Sequence, residues 1–209
     1  MSPEIATKRR TLEVVATLAL ITGGIVAGCL AIGSLSHIGI GYDAVFETEA
    51  SLITRTIHPT LPLQQAYDLA PITSEFYGMI VYQLSDLAHR VITGDQAWMP
   101  ASDPETYVYQ QAVTLSLALI ASAVFGSVVG LALRSRLAGA FAWAALMTIP
   151  LWMGLSVIDY KDSPVASGLT LVSAGLVAAW VKARQPIWLV GTAALAGVGG
   201  FVAIGSRAG

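Results

Sequence analysis

Two acidic groups lie far apart in the chain. Asp43, Glu47 and Glu49 fall in "GYDAVFETEA", and Asp159 and Asp162 flank Lys161 in "VIDYKDSP". Asp43 and Glu47 are four residues apart, so a helix would put both carboxylates on one face. Such a cluster could take a proton from a hydroxyl, bind a divalent cation, or work with Lys161 to orient a phosphate. An outward-facing loop that is simply acidic and solvated would show the same residues. His37, His58 and His89 share no metal-ligand spacing, so no metal site is assigned. No Ser-His-Asp, Cys-His or phosphate-loop pattern is present. Gly191, Gly197, Gly199 and Gly200 follow no strand and read as packing glycines. Arg90 reads as a snorkelling surface side chain. There is no basic patch for nucleic acid.

The elements that must position these groups are membrane spans. Apolar residues make up 55% of the chain and charged ones 11%, far below the roughly one quarter of a soluble domain. Five segments have the length and composition of spans: Val14–Leu35, Ala112–Leu133, Leu137–Ile158, Val165–Val181 and Ile187–Ile204. Lipid leaves no partner for an open backbone, so these spans are helical. The expected fold is all-α, a polytopic membrane protein with about five transmembrane helices and amphipathic surface helices in its first outer loop. The chain divides into residues 1–35 (N-terminus and first span), 36–111 (acidic loop) and 112–209 (four-helix membrane block). Within the loop, 42–57 and 74–92 have helical apolar spacing, the second through Phe76, Ile80, Leu84, Leu87 and Val91. Gly24 and Gly28 give the first span a GxxxG face. Trp98, Trp152, Trp180 and Trp188 read as interface anchors.

Charge distribution sets the topology. Lys8, Arg9, Arg10, Arg134, Arg136, Lys182 and Arg184 fall on one side of five crossings, and eleven of the thirteen acids fall on the other. By the positive-inside rule the basic side, with the N-terminus, is the cytoplasm of a multi-pass cell-membrane protein. Cys29 is the single cysteine, so no internal disulfide forms. "IVAGC" is similar to a lipoprotein processing box, but the chain stays apolar after it, as a spanning helix does.

"GLSVIDYKDSP", Gly154 to Pro164, resembles a motif of GT-C superfamily membrane glycosyltransferases, the protein mannosyltransferase-like and dolichyl-phosphate-mannose-type proteins. The motif reads roughly G-H-S-x-F-N-x-K-D-x-P. Gly154, Ser156, Lys161, Asp162 and Pro164 match it, whereas Leu155, Ile158 and Asp159 replace its His, aromatic and Asn. "GYDAVFETEA" is similar to the family's first-loop acidic motif, with Ala44 in place of the second acid. "EFYG", Glu75 to Gly78, resembles an aromatic-Tyr-Gly element of the second surface helix. The resemblance implies sugar transfer from a polyprenyl-phosphate donor to an acceptor hydroxyl at the outer membrane face. Asp43 would be the catalytic base, and Lys161, Asp162, Glu75 and Tyr77 would bind the donor. It implies no cofactor, although the carboxylates could hold a divalent cation. Family members carry more spans, so this chain is expected to be the N-terminal part of a longer enzyme, a degenerate relative or half of a split complex. The partners are the lipid-linked donor, membrane lipid and a further membrane subunit, with no nucleic acid. The competing reading is a non-enzymatic membrane subunit that binds a partner or lipid through its outer helices.

Overall fold

The computed structural model describes residues 3–35, 37, 80–95, 103–160, 162–182 and 186–206. Every regular element among them is a helix: α1 (Pro3–Ser34), α2 (Ile80–Thr93), α3 (Pro104–Leu133), α4 (Arg136–Thr148), α5 (Pro150–Ile158), α6 (Asp162–Lys182) and α7 (Pro186–Ser206). The protein is an all-α, multi-pass membrane protein. α1, α3, α6 and α7 are each long and apolar enough to cross a membrane, and α4 with α5 forms a fifth, bent candidate. The helix expected over 42–57 and residues 74–79 of the second surface helix lie outside the described residues.

The third span is not the straight helix that its apolar run suggests. It bends by 57° between Thr148 and Pro150. Pro150 has no N–H to give to the Leu146 carbonyl, and its ring drives Ile149 into extended backbone (φ −71°, ψ 114°). Ile149 N–H bonds to the Ala145 and Leu146 carbonyls at 3.1 and 3.3 Å, so the carbonyl deprived by proline keeps a donor. Thr148 Oγ1 donates to the Ala144 carbonyl at 2.7 Å. A break at membrane depth therefore exposes little unpaired backbone.

The neighbours of the bent pair show that it runs from one end of the bundle to the other. At its start, Gly139 packs on Gly126 and Gly130 in the last turns of α3. Just past its finish, Tyr160 shares one apolar cluster with Tyr107, in the first turn of α3. The pair thus runs the length of α3. Val202 and Gly205, late in α7, lie against Tyr107 or Ile80, so α7 ends where α3 begins. Thr17 and Ile21 of α1 border the Arg134 region, whereas Gly28 lies further along, against Met147. The bundle accordingly has a basic end, with Arg134, Arg136 and the starts of α1 and α7. Its opposite, polar end holds Tyr107, Tyr160 and α2.

Glycines let the helices close. A Cβ on Gly24 would lie 2.5 Å from the Trp143 ring, and one on Gly28 would lie 3.1 Å from Met147 Cε, so the GxxxG face is used. Gly168 and Gly199 meet across α6 and α7, where a Cβ on either would come 2.5 Å from the other's carbonyl oxygen. Gly199 is a packing glycine as expected. Among the described residues, nothing lies within 4 Å of a Cβ placed on Gly191, Gly197 or Gly200.

Candidate functional site

The polar end begins with the way α3 starts. Asp103 Oδ1 accepts the Glu105 N–H at 2.9 Å, and Pro104 occupies the first helical position. This Asp-Pro-Glu start is a strong N-terminal signal. It starts the helix two turns before the apolar run that opens at Ala112. With 30 residues, α3 is about 45 Å long, more than the ~30 Å of hydrocarbon. Its first turns, ahead of the apolar run, carry Thr106, Tyr107, Gln110 and Gln111, all buried.

α2 covers those turns. Ile80 and Val81 join Tyr107, Tyr160 and Val202 in one apolar cluster, with Leu84 against it. One turn on, Asp86 is only 5% exposed. Its Oδ2 lies 2.9 Å from Arg90 Nε. Arg90 is thus an ion-pair partner on the inner side of the helix, not only a snorkelling surface residue. His89 meets Tyr109 of α3 edge-on, with ring centroids 5.3 Å apart at 87°. His89 Nδ1 is buried and has no hydrogen-bond partner among the described residues, and the same holds for Ser167 Oγ in α6. α2 ends at Gly94, whose left-handed backbone (φ 75°) and N–H to the Arg90 carbonyl make a common C-cap.

The docking of α2 differs from a helix resting on lipid by its whole apolar stripe. Ile80 and Leu84 face the protein, while Leu87, Val91 and Ile92 are exposed at 56%, 76% and 70%. The stripe is split because the protein-facing side also takes Ser85 and Asp86, which the apolar spacing alone does not select.

The turn between α5 and α6 closes the same end. Asp159 Oδ1 accepts the Asp162 N–H at 2.9 Å, which ties the turn to the start of α6. Tyr160 is buried between these two acids, and Asp162 is exposed in the first turn of α6. Pro164 is fully buried there, where its missing N–H costs nothing. Of the site residues expected from the sequence, Asp162 alone is described. Asp43, Glu75, Tyr77 and Lys161 lie outside the described residues, as do Glu47, Glu49, His58 and Trp98. Among the described residues no group of three His, Cys, Asp or Glu side chains gathers to hold a metal ion.

Asp86, Gln110, Gln111 and Tyr160 are the polar residues that sequence reasoning missed. Asp86 and Arg90 did carry a signal, an i, i+4 opposite-charge pair. Gln110 and Gln111 follow once the Asp103-Pro104 start is taken as a helix start. Trp152 is likewise not an interface anchor: its Nε1–H donates to Ser122 Oγ at 3.1 Å, between α5 and the middle of α3. Trp180, 87% exposed near the end of α6, has the exposure and position of an anchor. Comparison with protein-family models, curated proteins and solved structures finds no match to this chain.

Proposed function

We propose that the protein acts as, or within, a GT-C-type membrane glycosyltransferase that moves a sugar from a polyprenyl-phosphate donor to an acceptor hydroxyl. Asp43 takes the hydroxyl proton as that oxygen attacks the anomeric carbon. The bond from that carbon to the lipid phosphate breaks, and the phosphate leaves with the electron pair. Lys161 and Asp162 border the phosphate, and Glu75 and Tyr77 bind the donor. The membrane helps by holding donor tail and reacting groups at one interface, which removes much of the positional entropy from the barrier.

One observation carries this reading. The three segments that hold the resemblance all attach to the polar end. The acidic stretch follows the far end of α1, "EFYG" leads directly into α2, and the Lys-Asp-x-Pro turn joins α5 to α6 beside Ile80 and Val81. Asp159 adds local support. Its Oδ1 holds the Asp162 N–H, an acceptor role that the motif's Asn could fill with the same atom.

The test uses the full protein in its native membranes with a lipid-linked sugar. Asp43→Asn should lower transfer by about 10²–10⁴-fold, the usual effect of removing a positioned base. Glu105→Gln, exposed in the first turn of α3, should be nearly silent. A fully active Asp43→Asn protein would overturn the mechanism. It would favour the non-enzymatic subunit, a reading that the exposed Leu87, Val91 and Ile92 on α2 support as a contact surface for a partner or lipid.

The orientation is proposed with it. Lys8, Arg10, Arg134 and Arg136 share the basic end, so that end is cytoplasmic and the polar end faces outward from the cell membrane. Asp95→Cys in a Cys29→Ala background should react with an impermeant thiol reagent in intact cells. Reaction only after membrane rupture would reverse the orientation.

A further inference from the structure

At the basic end, α1 stands away from α3 and α4 and leaves an open groove of about 710 Å³. Its origin is steric. Gly126 and Gly130 of α3 let α4 approach so closely that a Cβ on Gly139 would lie 2.8 Å from the Gly126 carbonyl oxygen. The Cβ positions of Gly126 and Gly130 point into the α3–α4 contact, so these residues present only backbone to the groove. α1 touches α4 further along, at Gly24 and Gly28, and its earlier turns are held off. Ile21 and Trp143 supply apolar walls to the groove, and Arg134, Ser135 and Arg136 surround its mouth.

The mouth is cationic and open. Arg134 and Arg136 are both exposed, and neither forms an ion pair among the described residues. α4 starts there, so the positive end of its helix dipole adds to the two guanidinium groups. Arg134 also holds a left-handed backbone (φ 50°, ψ 37°) that glycine would adopt without strain. Glu13 lies one turn before Thr17 on α1 and is not a wall of the groove.

We propose that this groove binds an anionic phospholipid of the leaflet at the basic end. One acyl chain lies along Ile21 and Trp143, and the phosphate sits between Arg134, Arg136 and the start of α4. Charge complementarity selects this occupant. A neutral helix or an uncharged tail would leave two arginines unanswered at the mouth, whereas a lipid phosphate meets them at their own depth. Basic pockets between membrane helices bind anionic head groups in this way. The proposal does not depend on the glycosyltransferase reading, because the groove and the proposed sugar site lie at opposite ends.

Native mass spectrometry of the full protein, equilibrated with phosphatidylglycerol or phosphatidylcholine, tests it. Wild type should retain phosphatidylglycerol in preference. The double variant Arg134→Gly, Arg136→Gln should lose that preference by about 30-fold, from roughly one basic contact each. Arg134→Gly relaxes the turn, so an unchanged or raised melting temperature would show that folding is intact. Ala123→Trp, which fills the groove without altering charge, should lower retention of both lipids. The proposal fails if the double variant keeps the preference. It fails if Arg10→Ala, at the same end but outside the groove, loses as much per charge while Ala123→Trp changes nothing, since binding would then be diffuse. It fails equally if the spectra show a second copy, not lipid, competing for the groove.

Discussion

At the polar end, Ser85, Asp86, Gln110 and Gln111 are sealed between helices. At the basic end, Arg134 and Arg136 stand open beside backbones packed glycine against glycine. The two ends resist change for different reasons. Buried polar groups have a high desolvation cost and must keep their partners, so one end depends on the geometry of a few hydrogen bonds and an ion pair. Close glycine contacts depend on shape alone and tolerate no added atom. The first end can discriminate chemistry, because its polar atoms are buried between helices, where the local dielectric is low. The second can set the spacing of helices and hold a groove, but it discriminates ligands only through charge at the mouth.

The largest effect should come from breaking the ion pair. Asp86→Leu leaves Arg90 beside an apolar surface. Removing one partner of a buried pair costs about 3–5 kcal/mol, and the lower value applies because the Arg90 side chain is 24% exposed and can turn to water. Thermal unfolding of the purified protein should show this loss as a clear fall in melting temperature. Adding Arg90→Leu should recover most of it, because no charge is then stranded. Equal destabilisation by the single and double variants would mean that the pair does not hold α2, and the contrast between the ends would rest on packing alone.

The fold was largely legible because lipid leaves few choices. Apolar runs of span length, helical by necessity, account for α6 and α7 within a few residues and for the ends of α1 and α3, whose helices begin two to three turns before their apolar runs, and basic clusters ordered the ends. Two features were less visible. Pro150 marked a break, but the continuous apolar run from Leu137 to Ile158 outweighed a single residue. Its consequence is a 57° bend that re-aims the turn at Asp159. Gln110 and Gln111 were counted with the loop because polar residues beside a span look solvated. Their burial comes from tertiary packing of other helices on the start of α3, which no local pattern encodes. Of the candidate site, Asp162 was placed as expected at the polar end. The tie from its N–H to Asp159 could have been anticipated, since an Asp at that spacing from a helix start commonly accepts a backbone N–H.

The smaller effect tests the other end. A Cβ on Gly139 would lie 2.8 Å from the Gly126 carbonyl oxygen and 2.9 Å from Gly130 Cα. Both are backbone atoms, so no rotamer change relieves the contact and α3 must move away from α4. Gly139→Val should therefore destabilise by about 1–3 kcal/mol, the range for overpacking, and should widen the groove whose floor these glycines form. Gly197→Ala is the matched substitution, since its Cβ would meet nothing within 4 Å. There the gain in helix propensity acts alone, and stability should rise by up to about 1 kcal/mol. Opposite signs from two glycines in one bundle would show that close approach, and not glycine content, holds the basic end. If Gly139→Val melts like wild type, α3 and α4 are free to separate, and the groove at Arg134 and Arg136 is not set by their contact.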